Sequence, residues 1–187
     1  DGDGPPDCED TDIRVPQDQP TISAAIAAAS NGFTIRVAAG TYNEFVDFSG
    51  KEIVIEGDSA DPSSVVLDGT GLSGSIVKIS SGEGPGAVLR GMTIRGGTLG
   101  DPISEEPGAL RAGGGLIAID ASPTIEDCFF EENVADLGGG VAGIRSGITI
   151  LRCAFTNNAA GTGGGILIEQ GLAASITEST ISGNTVT

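Results

Sequence analysis

The chain carries 26 Asp and Glu against 9 Lys and Arg and has no histidine, so carboxylates are the groups with which it could do chemistry. Two acidic groupings have a cation in reach: Asp101, Glu105 and Glu106 with Arg111, and Glu126, Asp127 and Glu131 with Arg152. Hydrolysis of a glycosidic bond calls for two carboxylates at a set separation in a groove. Elimination from a uronic acid calls for calcium-binding carboxylates and an Arg or Lys placed to take a proton. Against both, Lys51 and Lys78 are the only lysines, and a chain with 26 acids produces such groupings by chance. There is no Trp and one Tyr, and the Phe residues fall mostly at periodic apolar positions, so platforms for stacking a sugar ring are missing. The expectation is a segment without catalytic residues that is not an enzyme.

A third acidic grouping opens the chain. Asp1-Gly-Asp-Gly-Pro-Pro-Asp-Cys-Glu-Asp10 places Asp1, Asp3, Asp7 and Asp10 at the third, fifth, ninth and twelfth positions of a calcium loop, with Gly4 at the sixth. The first ligand of such a loop would lie two residues before Asp1. A plain acidic linker over residues 1–12 satisfies the same composition. Calcium is the one cofactor the pattern admits.

The elements that would position these groups follow from a repeat. The triple glycines at Gly113, Gly138 and Gly163 are 25 apart, as are Cys128 and Cys153, Phe130 and Phe155, and Asn133 and Asn158. One further step of 26 reaches Ser179, Ile181 and Asn184. A fixed period of this length marks a solenoid, whose units bury their apolar faces only against their neighbours. Within each unit apolar and polar residues alternate with a period of two, as in Ile148-Thr-Ile-Leu151, which is strand and not helix. A unit of about 25 residues holds three short strands and three turns, one rung of a parallel β-helix.

Rungs stack at roughly 4.8 Å, so equivalent residues form ladders. The expected inward ladders are Ile125–Ile150–Ile176, Cys128–Cys153–Ser179, Phe130–Phe155–Ile181 and Leu116–Val141–Ile166. Asn133, Asn158 and Asn184 are expected in a turn, buried, each amide bonding its copy in the next rung. Cys128 and Cys153 should be reduced, buried thiols acting as small hydrophobes. Their parallel side-chain directions suit a disulfide torsion poorly, and two thiols without histidine fall short of a zinc site. Cys8 lies apart and its pairing is open. Parallel connections are nearly always right-handed, and the coil should follow.

Earlier rungs are less regular. Val88–Ile94 aligns with Thr124–Phe130 at an offset of 36, about 11 beyond the 25-residue period, which places an insertion at Thr98–Ala112. Its prolines and acids predict a loop projecting from the coil. Strands are predicted at Thr34–Ala38, Ile53–Glu56, Val65–Asp68 and Ser75–Ser80. Between Thr21 and Ser30, Ile22, Ala25, Ile26 and Ala29 share one helical face and Asn31-Gly32 ends the run, as suits a helix covering the open end of the core. The last rung has no such cover and stops where another triple glycine falls due, as expected of a segment of a longer protein. The expected domains are thus the linker 1–12 and a β-helix over 13–187.

Pro20–Asp58, with its helix, GTY turn at Gly40–Tyr42 and GK…I.I.G strand at Gly50–Gly57, resembles the opening of pectin-lyase-like right-handed β-helix proteins. The later rungs resemble the GGA-[ILV] and F-x-x-N repeats of polymorphic outer-membrane proteins. Here these read Gly114-Gly-Leu, Gly139-Gly-Val and Gly164-Gly-Ile, with Phe130-Glu-Glu-Asn133, Phe155-Thr-Asn-Asn158 and Ile181-Ser-Gly-Asn184. The acidic opening resembles thrombospondin-type-3-like calcium linkers. The first resemblance implies a fold that also hosts polysaccharide lyases and glycoside hydrolases. The second implies secreted or surface-displayed passengers, often adhesive.

A net charge of −17 argues against nucleic acid or an anionic membrane as partner. No apolar run approaches the roughly 18 residues of a membrane helix. The resulting expectation is an all-β, right-handed parallel β-helix with a short N-terminal capping helix, serving as a structural or adhesive segment of a secreted or cell-surface protein. The alternative is the N-terminal part of a carbohydrate-active β-helix enzyme whose catalytic rungs lie downstream. Expected partners are other rungs or protomers, end to end, and surface glycans.

Overall fold

The computed structural model describes residues 11–104, 106, 108–171 and 173–187. Its strands form four sheets in which neighbours run parallel, apart from one antiparallel hairpin pair. The seven-stranded sheet stacks Asp12–Val15, Thr34–Val37, Val54–Glu56, Val88–Arg90, Thr124–Glu126, Thr149–Leu151 and Ser175–Thr177. A five-stranded sheet runs from Val46–Asp47 through Val77–Ile79, Leu116–Ile119 and Val141–Ile144 to Ile166–Glu169. Two six-stranded sheets complete the wall. The protein is an all-β solenoid of the right-handed parallel β-helix class, with one short α-helix and one 3-10 turn among the described residues.

The register matches the predicted ladders. Ile125 pairs with Ile150 and Ile150 with Ile176. Leu116, Val141 and Ile166 form one column, and Val88–Arg90 lies on Thr124–Glu126 across the insertion. A full rung has four strands where three were predicted: Leu116–Ile119, Thr124–Glu126, Phe129–Glu131 and Val134–Leu137. The extra corners are made by non-glycine residues in left-handed conformation, stacked from rung to rung. Asp120, Arg145 and Gln170 form one column with φ of 51, 50 and 53°, and Asp127, Arg152 and Glu178 another with φ of 53, 51 and 51°. A single left-handed residue bends a strand without adding chain length, and sequence periodicity cannot show it.

The triple glycine closes each rung because no Cβ fits there. At Gly138, where φ is 57°, a Cβ would lie 2.4 Å from the Val141 carbonyl oxygen. At Gly139 it would lie 2.5 Å from the carbonyl oxygens of Ala159 and Gly164. The first position needs the left-handed region and the second needs backbone to pass against backbone.

Helix Ile22–Ala28 covers the N-terminal end, burying Ile22, Ala25 and Ile26. The coil holds it at both ends. The Glu44 carboxylate accepts from the Ile22 and Ser23 N–H groups at 3.0 and 2.9 Å, and Thr21 Oγ1 accepts from Ala24 N–H at 3.1 Å. Lys51 Nζ donates to the Ile26, Ala27 and Ala29 carbonyls at 2.5, 3.2 and 2.8 Å. Charges of the right sign thus meet both sets of unpaired helix-end groups. Asp12 opens the first strand, and residues 1–10 of the predicted linker lie outside the described residues.

Where the Thr98–Ala112 insertion is described, its two flanks lie against the coil. It pairs Asp101–Pro102 antiparallel with Arg111–Ala112 and folds back on the outer face of the five-stranded sheet. There Ile103 packs with Ala112, Ile117 and Ala142 in an apolar cluster separate from the core. Both faces of Leu116-Ile-Ala-Ile119 are consequently covered, Leu116 and Ala118 facing the core and Ile117 the hairpin. That is why the strand is apolar throughout.

Candidate functional site

Of Glu126, Asp127, Glu131 and Arg152, Glu126 lies on the seven-stranded sheet and Asp127 and Arg152 at its corner, while Glu131 lies in a six-stranded sheet. Arg36, Glu56, Arg90 and Glu126 follow one another in register through successive strands. Charges of alternating sign then sit one strand spacing apart. Arg36 bonds Asp12 at 2.9 Å and also Glu56, and Arg90 bonds Glu56 and, at 3.4 Å, Glu126. Arg152 joins Glu126 at 3.2 Å and Asp127 at 2.7 Å. The Arg152 guanidinium holds the Asp127 carboxyl below its ordinary range. Glu131 shares a register position with Arg95 and Thr156. These groups form a charge ladder, a feature that sequence reading missed. Its signal was an Arg or Glu at the third position of strands with unequal spacing.

The second grouping is not brought together. Arg111 donates from its guanidinium to the Gly100 carbonyl at 3.2 Å and from its backbone N–H to Asp136 at 2.9 Å. Glu106 is exposed, and Glu105 lies outside the described residues. Asp101 faces the other way, toward Lys78 of the five-stranded sheet, with Nζ and Oδ2 3.7 Å apart. Two recesses meet at this pair. One, of about 350 Å³, lies between the hairpin and the sheet, with Ile103, Ser104, Ile117 and Ile119 in its wall. The other, of about 240 Å³, is bounded by Phe45, Asp47, Ser73 and Ser75. Phe45 is 43% exposed, outside the periodic core positions that most of the Phe residues occupy. Lys78 is opposite Asp47 in the sheet register, a placement that only the intervening turns decide.

The repeat residues line the interior. Asn133 and Asn158 are fully buried, while Asn184, in the last rung, is half-buried where full burial was expected. Asn133 Nδ2 donates to Asn158 Oδ1 at 3.0 Å, and Asn158 Nδ2 to Asn184 Oδ1 at 2.9 Å. Each Oδ1 also accepts the backbone N–H of the residue one rung before it: Gly97 to Asn133, Asn133 to Asn158 and Asn158 to Asn184. The Phe130 and Phe155 rings stack at 4.9 Å with planes 2° apart. Cys128 and Cys153 are buried free thiols, and burial pushes the Cys128 thiol well up, which keeps it protonated.

The proposed calcium ligands Asp1, Asp3, Asp7 and Asp10 lie outside the described residues, as does Cys8. Among the described residues no group of three or more His, Cys, Asp or Glu could hold a metal ion, and no helix is long and apolar enough to cross a membrane.

The geometry defines a parallel β-helix with a charged outer face and a recessed groove beside the hairpin. No protein-family model matches the sequence, and no curated protein matches it either. A crystal structure of pectin methylesterase in complex with hexasaccharide VII is similar at 16% identity with a TM-score of 0.43, over 75% of this chain and 50% of that one. The chain thus spans half the length of that neighbour.

Proposed function

We propose that this chain is a non-catalytic structural or adhesive β-helix segment of a secreted or cell-surface protein. The observation that carries the reading is the capture of Asp127 and Glu126 by Arg152 and Arg90. A general acid needs a pKa near the working pH, and Asp127 is moved the opposite way. Columns that repeat Asn133, Asn158 and Asn184, or Ile125, Ile150 and Ile176, from rung to rung suit an extended scaffold. Ile176, Ile181 and Val186 are exposed, an apolar surface that suits packing against another protomer.

The test is incubation with pectate, alginate and other uronic-acid polymers, with and without calcium. No new reducing ends and no unsaturated product are expected. Turnover that disappears in Asp101→Asn or Arg111→Met would overturn the reading and favour the carbohydrate-active alternative.

A further inference from the structure

The charge ladder of the seven-stranded sheet breaks its alternation at one end. Arg14 stands opposite Arg36 in the register of the first two strands, whereas Arg36, Glu56, Arg90 and Glu126 alternate in sign. Like charges one strand spacing apart, roughly 4.8 Å, destabilise a sheet unless each is answered. Arg36 is answered, since its Nε donates to Asp12 at 2.9 Å and its Nη1 to Glu56. Arg14 is not. Among the described residues Arg36, Arg90, Arg95, Arg145 and Arg152 form ion pairs and Arg111 reaches the Gly100 carbonyl, but the Arg14 side chain has no described partner. Asp18, on the following turn, accepts the Arg14 backbone N–H at 2.7 Å instead. A recess of about 330 Å³ opens beside the two arginines, at the lower end of the ~300–1,000 Å³ of ordinary ligand sites. Pro16, Val37 and Ala38 give it an apolar wall, Gln17 adds an amide, and no carboxylate lines it.

We propose that this recess binds a small monocarboxylate with an apolar body. The Arg14 guanidinium takes both carboxylate oxygens in a fork. The Gln17 amide and Arg36 Nη2, which has no described bond, donate beside it. The apolar body lies against Pro16, Val37 and Ala38. Charge selects the ligand. Arg36 is balanced by Asp12 and Glu56, so Arg14 brings one uncompensated positive charge, which one carboxylate cancels. A dianion such as phosphate would leave a negative charge unmet on a chain that is already acidic. The net charge of −17 opposes any anion from afar, but that field is screened within about 8 Å at physiological salt, and inside the recess the guanidinium is the near charge. The proposal goes beyond the scaffold reading, which stands or falls with the turnover assay.

NMR titration of the whole chain with hexanoate and phenylpropionate tests it, beside an acetylated tripeptide ending in leucine that carries the same carboxylate at a peptide terminus. At least one of these acids should shift the amide signals of Arg14, Gln17 and Ala38 saturably, and the arm that binds names the source of the carboxylate. Hexanamide and hexylamine, which keep the apolar body without the anion, should not. Arg14→Gln should weaken binding about tenfold or more. Because Arg14 has no described partner to lose, the Tm of that variant should stay level or rise. Arg145→Gln removes the same charge at a remote corner and should leave affinity unchanged. The proposal is overturned if no carboxylate binds, if hexanamide or hexylamine binds as tightly, or if inorganic phosphate binds more tightly. It is equally overturned if Arg14→Gln keeps full affinity, if Arg145→Gln loses as much, or if Arg14→Gln lowers the Tm, which would make Arg14 a structural residue.

Discussion

Replacing Asn158 with Ala removes the middle of the amide ladder. Asn158 Oδ1 accepts from Asn133 N and Nδ2, both at 3.0 Å, and Asn158 Nδ2 donates to Phe130 O and Asn184 Oδ1, both at 2.9 Å. After truncation the Asn133 amide keeps its bond to Ile94 O, and Asn184 Oδ1 keeps the backbone N–H of residue 158. The Asn133 backbone N–H has no such reserve, and it lies in a fully buried residue. One orphaned donor costs ~1–3 kcal/mol, and each further lost bond roughly 0.5–1.5 kcal/mol. A loss of about 3 kcal/mol follows, or about 6–12 °C in Tm for a chain of this size. Asn184→Ala is the control. It frees the N–H of the buried Asn158, but the side chain removed is itself half-buried, so water enters in its place and the cost should stay under about 1 kcal/mol. Urea titration and hydrogen exchange at the Asn133 N–H would measure both. If Asn158→Ala loses no more stability than Asn184→Ala, the ladder is not what holds these rungs in register.

Acid should weaken the coil from the outside. The carboxyl of Asp127 is depressed by Arg152, and that of Asp68 by Thr70, with a smaller contribution from Arg95. Their stabilisation is present above the ordinary carboxylate value of about 3.9 and is lost as pH falls through the lower folded values. Asp127→Asn should therefore flatten the low-pH limb of a stability profile, and an unchanged limb would show that the pair contributes nothing. In a Cys8→Ser background, the buried Cys128 and Cys153 should resist a disulfide reagent while folded and react once denatured; rapid native labelling would contradict this. Lys51→Met removes the ammonium that donates to three carbonyls at the end of the capping helix. It should cost about 1.5–3 kcal/mol, read as faster exchange of the Ala25–Ala29 N–H groups, and unchanged exchange there would count against the clamp.

Periodicity alone determined the solenoid. Identical residues at a constant spacing can be satisfied only if rungs stack in register, so the Ile125, Phe130 and Leu116 columns were legible before any coordinates. The Asn column was legible for the same reason, since a buried amide at a fixed period has its own copy as nearest partner. The cap helix followed from one apolar face.

What the repeat could not carry was decided by tertiary structure. Four strands per rung instead of three depend on left-handed corners at residues such as Asp120 and Asp127, a backbone choice that leaves no mark in apolar spacing. The Arg36–Glu56–Arg90–Glu126 ladder joins residues separated by 20, 34 and 36 positions, because turns of unequal length intervene. The Lys78–Asp101 groove needs the hairpin to fold back on Ile117 and Ala142, a long-range packing choice. Repetition specifies what happens once in every rung, whereas a site built at one rung only is specified by the departures from the repeat, and their contacts exist only in the folded chain.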